Sequence, residues 1–170
     1  MIRLAEYDGS AGTLVDTNVW IDCIDHQSKW HEWAIEQLQR LSERSPLHLN
    51  LVVYTELLAP GPSVDALDEL LDVYGTLRTP LPWSCAALTA AAFATYRRHG
   101  GPELKPLPDF YIGAHAAVAN LRVLTRNPSP YKTYFPRLVV VSPSGLPAPP
   151  PQVGVQRGGP TGTKRIACAT

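Results

Sequence analysis

Three acids recur at the starts of helix-like segments, the first two immediately after an apolar, strand-like run. Thr13-Leu14-Val15 runs straight into Asp16, which is followed by the small polar residues Thr17 and Asn18 and then an apolar helix start. Leu51-Val52-Val53 leads into Tyr54-Thr55-Glu56, and Asp109 follows Pro108 at the head of an Ala-rich stretch. In an open α/β sheet the loops at the carboxyl ends of the strands form the ligand crevice, so an acid placed there projects away from the core. Three carboxylates gathered at one edge repel one another unless a cation neutralises them, and an oxygen-only donor set suits the hard ions Mg²⁺ or Mn²⁺. The natural use of such an ion is phosphodiester hydrolysis, in which it activates a water and stabilises the leaving oxygen. Each acid taken alone also reads as a helix cap. Recurrence at three junctions is what favours a shared site.

The elements that must position these acids alternate between strands and helices. A strand ends at Asp16, and 18–24 reads as a short helix. Ser28 is placed to cap a longer helix reaching about Arg44, with Trp30, Trp33, Ile35, Leu38 and Leu41 on its apolar face. Residues 47–53 read as a buried parallel strand, which makes Glu56 the acid of a second strand-to-helix junction. Pro60-Gly61-Pro62 is a turn, and Ser63 caps a helix through about Tyr74. A short strand interrupted by proline is expected over 79–83. A helix over 84–99 follows, closed by Gly100-Gly101. A further helix over 110–120 sets Asp109 at its N-cap or in its first turn, and strands follow at 122–125 and 138–141. This alternation argues for an α/β fold, a parallel sheet covered by helices on both faces.

The chain has 170 residues, 45% hydrophobic and 18% charged, enough to bury one core. Residues 1–143 form that domain, and the Pro/Gly-rich stretch 144–170 reads as a disordered tail. No apolar run reaches the roughly 18 residues of a membrane span, and the first residues lack the pattern of a signal peptide. Cys23, Cys85 and Cys168 are scattered and unpaired in spacing, which argues against a disulfide framework or a structural zinc site. A cytoplasmic protein with no membrane partner is the expectation. The formal net charge is zero, but all 15 acids lie at or before Asp109, where eight basic residues leave a net −7. The remainder carries seven basic residues and no acid. A polyanionic partner and a merely solubilising tail both fit this asymmetry.

Four segments together resemble the signature of PIN-domain ribonucleases, and most closely the VapC-type toxins of bacterial toxin–antitoxin pairs. They are Val15-Asp16-Thr17-Asn18-Val19-Trp20-Ile21, Tyr54-Thr55-Glu56-Leu57, Pro108-Asp109-Phe110-Tyr111-Ile112-Gly113-Ala114-His115-Ala116 and Leu124-Thr125-Arg126-Asn127. The resemblance spans about 13–142. It implies a three-layer α/β/α sandwich around a parallel sheet of about five strands, and endoribonuclease activity dependent on Mg²⁺ or Mn²⁺. It also implies a cognate antitoxin and a homodimer. By the same resemblance Asp16, Glu56 and Asp109 are the catalytic, metal-holding acids, while Thr17, Asn18, Thr125, Arg126 and Asn127 line the site toward the RNA substrate. The chain departs from the family where a fourth acid is usual. Asn127 and Pro130 stand at the two positions where it would fall, which puts a second ion in doubt. A catalytically weakened PIN fold that binds RNA or protein is therefore the alternative function.

Other residues invite chemistry less strongly. Asp22 shares a helical face with Asn18 and reads as a solvated helix residue more readily than as support for the site. His115 reads as a packed or partly exposed residue, and the five histidines form no ligand spacing. Tyr131, Lys132, Tyr134 and Arg137 mix aromatic and basic groups as a nucleic-acid surface does, though loop packing serves equally. A phosphohydrolase with Asp16 as nucleophile wants a second aspartate two residues on, where Asn18 stands.

Overall fold

A computed structural model describes residues 7–59 and 61–143. The expectation of a disordered 144–170 tail lies outside the described residues. Five short strands, β1 (Thr13–Val15), β2 (Leu47–Leu49), β3 (Leu77–Arg78), β4 (Arg122–Leu124) and β5 (Val140–Val141), form one parallel sheet in the order β3-β2-β1-β4-β5. Between them run α1 (Thr17–Ile24), α2 (His31–Ser42), α3 (Leu51–Leu58), α4 (Val64–Val73), α5 (Cys85–Arg98), α6 (Pro108–Val118) and α7 (Ser129–Tyr134). The order reverses direction at β1. With right-handed crossovers, α1–α4 therefore cover one face and α5–α7 the other, the α/β/α sandwich expected. Packing agrees: α1 meets α2 and α3, α5 meets α6 and α7, and α3 also reaches α6.

The centre of the sheet is apolar on both faces, as a covered parallel sheet requires. Leu14, Val15, Leu49, Val123 and Leu124 are all but inaccessible, and Trp20, Leu38, Leu67 and Ile112 close over them from the helices. Helix α6 is buried almost all round, from Phe110 through Ala116, because α5 and α7 cover its outer side with Cys85, Ala92 and Phe135. Gly113 is required there, since a Cβ at that position would run into the Phe135 ring. Gly113→Ala is expected to cost about 1–2 kcal/mol: overpacking of roughly 1–3 kcal/mol outweighs a helix-propensity gain of up to about 1 kcal/mol. A lower urea midpoint at unchanged slope would register it, and an unchanged or higher midpoint would show that Phe135 moves aside freely.

Several elements differ from expectation for identifiable reasons. The run Leu51-Val52-Val53 is helix, not strand: β2 stops at Leu49, and the Asn50 side chain accepts a hydrogen bond from the Val53 backbone N–H at 3.1 Å, capping α3. A short apolar run has no periodicity to distinguish the two. Glu56 consequently sits in the second turn of α3 rather than at a junction. The expected strand over 79–83 is instead Leu77–Arg78, because Pro80 and Pro82 have no N–H to give a ladder. α2 begins at His31 without a side-chain cap, so Ser28 is not its N-cap. α7, with Pro130 in its first turn, was not expected at all, although proline suits that position.

Candidate active site

Asp16 is the hinge between β1 and α1. Its backbone N–H donates to the Leu124 carbonyl at 2.9 Å, so the end of β1 is still paired with β4 when the chain turns into helix. Asp16 holds the N-cap position in extended conformation, yet its side chain caps nothing. Instead its Oδ2 accepts from Asn18 Nδ2 at 2.7 Å and from Thr125 Oγ1 at 2.7 Å. The direction of the second bond is forced. Thr125 Oγ1 already accepts from Asn18 Nδ2 and from the Asn127 backbone N–H, each at 3.0 Å, so its one proton goes to the aspartate. Asn18 Oδ1 accepts from the Arg126 backbone N–H at 2.8 Å, tying the loop after β4 to the first turn of α1.

Glu56 enters from α3, where its Oε2 accepts from Thr17 Oγ1 at 2.6 Å. Asp109 enters from the first turn of α6, which runs back toward the sheet and so presents its amino end at the carboxyl edge. The three expected acids thus meet at one edge, and electrostatics register the meeting. Burial pushes the Asp109 carboxyl up to about 7, with the charges of Asp16 and Glu56 adding to the effect. Asp16, 4% exposed, is likewise raised by burial, against the hydrogen bond from Thr125 and the neighbouring Tyr131 hydroxyl. Among the described residues no three His, Cys, Asp or Glu side chains already close around a single point.

The lining residues fall into place around these acids. Thr17, Asn18 and Thr125 are bonded to them directly, while Arg126 and Asn127 leave β4 beside them. The Asn127 side-chain oxygen is buried without a hydrogen-bond partner among the described residues. The expectation for Asp22 is corrected. It is 2% exposed and paired with Arg126, because α2 and the loop before it cover that face of α1. For Tyr131 the structure selects packing over a nucleic-acid surface. The residue lies inside the core beside Asp16, Asp109 and Glu56, its hydroxyl held protonated by burial and by those charges, while Lys132 and Arg137 remain exposed. His115 is wholly buried. It accepts from Asn50 Nδ2 at 3.1 Å and so joins α6 to the cap of α3, with burial pulling it down to about 4 and keeping it neutral. Sequence named both Asp22 and Tyr131 without placing them, because Arg126 and the acids beside Tyr131 lie far along the chain.

An all-oxygen set of two raised aspartates, a glutamate and an orphaned amide oxygen fits a hard divalent cation in chemistry and in charge. The same architecture recurs among solved structures. VapBC2 of Rickettsia felis, bound to a promoter DNA fragment, matches at TM-score 0.59 and 16% identity, over 76% of this chain and 97% of that one. FitAcB of Neisseria gonorrhoeae matches at TM-score 0.57 and 25% identity, over 79% and 99%. DNA-bound VapBC of Salmonella typhimurium matches at TM-score 0.53 and 20% identity, over 77% and 97%. No curated protein matches the sequence. The family model for the PIN domain matches residues 13–136, from the first residue of β1 through α7 and including every acid of the site, and the chain therefore belongs to the PIN-domain family.

Proposed function

We propose that this protein is a metal-dependent endoribonuclease, the toxin of a VapC-type toxin–antitoxin pair. The observation that carries the reading is the burial of Asp16 and Asp109 within range of each other's charge and that of Glu56, an arrangement that destabilises the fold unless it serves a cation. Asp16, Asp109 and Glu56 would hold Mg²⁺ or Mn²⁺. When bound, the ion supplies activation of the attacking water and charge stabilisation at the leaving 3′ oxygen. Asn18 and Thr125 fix the Asp16 carboxylate by occupying Oδ2, which leaves Oδ1 as its ligand oxygen. Thr17 does the same for Glu56 Oε2. Arg126, at the mouth of the site, receives the RNA phosphate. A cognate antitoxin in the cytoplasm would cover this edge, and a second copy would complete a homodimer. The likeness to the VapBC complexes supports the antitoxin.

Incubating the purified protein with structured and unstructured RNAs, with Mn²⁺ or with EDTA, tests the reading. Cleavage that requires the ion supports it. RNA binding without cleavage would favour the weakened PIN fold, a reading kept by Asn127 and Pro130 where the family has an acid.

The neutral Asn127 leads to a separate expectation. With three acids the site takes one ion in the free protein, and Asn127→Asp should tighten Mn²⁺ binding by roughly tenfold, since affinity follows ligand charge. Calorimetric titration of both proteins decides it. Equal affinity and stoichiometry would mean that this side chain points away from the ion.

A further inference from the structure

We propose that Asp22 is a positioning residue that holds the Arg126 guanidinium at the mouth of the acid site, aimed at a phosphate of the polyanionic substrate. The inference rests on the RNA-nuclease reading. A carboxylate 2% exposed needs partners, and Asp22 has them on one side alone. Its Oδ1 accepts from Ser28 Oγ at 2.7 Å and from Arg126 Nη1 at 3.3 Å, while Oδ2 is buried with no partner among the described residues. An aspartate retained to tie α1 to its neighbours would be served on both oxygens. Here the pairing is long and single-pronged, which steers the guanidinium without saturating its five donors.

The base of the Arg126 side chain is fixed independently, by its backbone N–H on Asn18 Oδ1, and Asn18 in turn holds Asp16. Asp22 therefore sets the direction of a cation whose root is already registered to the acids. The Arg126 side chain is 37% exposed, open to a ligand. Preorganising a cation in this way lowers the entropic cost of engaging a phosphate.

The experiment measures binding of a fluorescein-labelled single-stranded RNA 20-mer in EDTA by anisotropy, for wild type, Asp22→Asn, Arg126→Ala and the double variant. Cleavage kinetics in Mn²⁺ and Mn²⁺ calorimetry accompany it. Simple electrostatics predicts tighter RNA binding on removing an acid. Positioning predicts the opposite: Asp22→Asn should weaken binding roughly three- to tenfold and raise KM, with kcat and Mn²⁺ affinity little changed. In the Arg126→Ala background, Asp22→Asn should have no further effect. Equal losses in both backgrounds would mean a structural role. Tighter RNA binding, or a loss of Mn²⁺ affinity, would also overturn the inference. A wild-type protein that neither binds nor cleaves RNA would overturn the nuclease reading with it, whereas Arg126-dependent binding indifferent to Asp22 would overturn the inference alone.

Discussion

Asp16→Asn is expected to abolish cleavage, lowering kcat by about a thousandfold or more, while leaving the metal-free fold as stable as before or more so. The two outcomes follow from the same geometry. The Asp16 carboxylate caps no backbone N–H of α1, so its loss removes no helix cap. An asparagine at the same place keeps one oxygen for Asn18 Nδ2 and Thr125 Oγ1, the two donors that converge on Oδ2. It discards a buried negative charge close to Asp109 and Glu56. Cleavage assays in Mn²⁺, paired with thermal melts in EDTA, separate the effects. A variant that melts well below wild type would make Asp16 chiefly structural, and one retaining activity within tenfold would remove it from the mechanism.

Asp16 and Asp109 were legible in the sequence because their surroundings are local. An apolar run ends, a small polar segment follows, and Pro108 announces the first turn of a helix. The central sheet was legible for the same reason, since Thr13-Leu14-Val15 and Arg122-Val123-Leu124 are short apolar runs set between helices. Glu56 reached the site by a different route from the one expected. Leu51–Val53 has no periodicity of its own, and what makes it helix is the Asn50 side chain on the Val53 N–H, a cap hidden inside what reads as strand. Asp22 and Tyr131 were not legible. The charged partner of Asp22 is Arg126, 104 residues away, and Tyr131 is buried among acids from three other elements. Only the packing of α1 against the loop after β4, and of α7 behind the acids, turns a surface-looking aspartate and a surface-looking tyrosine into interior groups.

The metal-free protein should lose stability as pH rises from about 4 to about 7, through Asp109. Its carboxyl sits at about 7 in the fold, against an ordinary value of 3.8 in the open chain. Between those values the folded state holds a proton that the unfolded state has released, so raising the pH favours unfolding, and above about 7 this contribution is flat. At full development it is on the order of 4 kcal/mol, shared with the Asp16 and Glu56 charges that help to raise it. His115 complicates the wild-type curve. Burial draws it to about 4 from its ordinary 6.5, so its contribution has the opposite slope: stability rises with pH between about 4 and 6.5. The informative quantity is therefore the difference between wild type and Asp109→Asn, in which His115 cancels. That difference should be near zero at pH 4, grow in favour of the variant up to about pH 7, and stay constant beyond. With Mn²⁺ present the sign reverses, because the ion requires the charged carboxylate. Affinity and cleavage in the wild type should climb toward pH 7, while Asp109→Asn shows neither. Urea denaturation in EDTA at pH 4, 5.5, 7 and 8.5 reads the first half, and Mn²⁺ titration at the same values reads the second. A constant offset between the two proteins across this range would mean that Asp109 titrates as an ordinary exposed acid, and that the three carboxylates do not share one site.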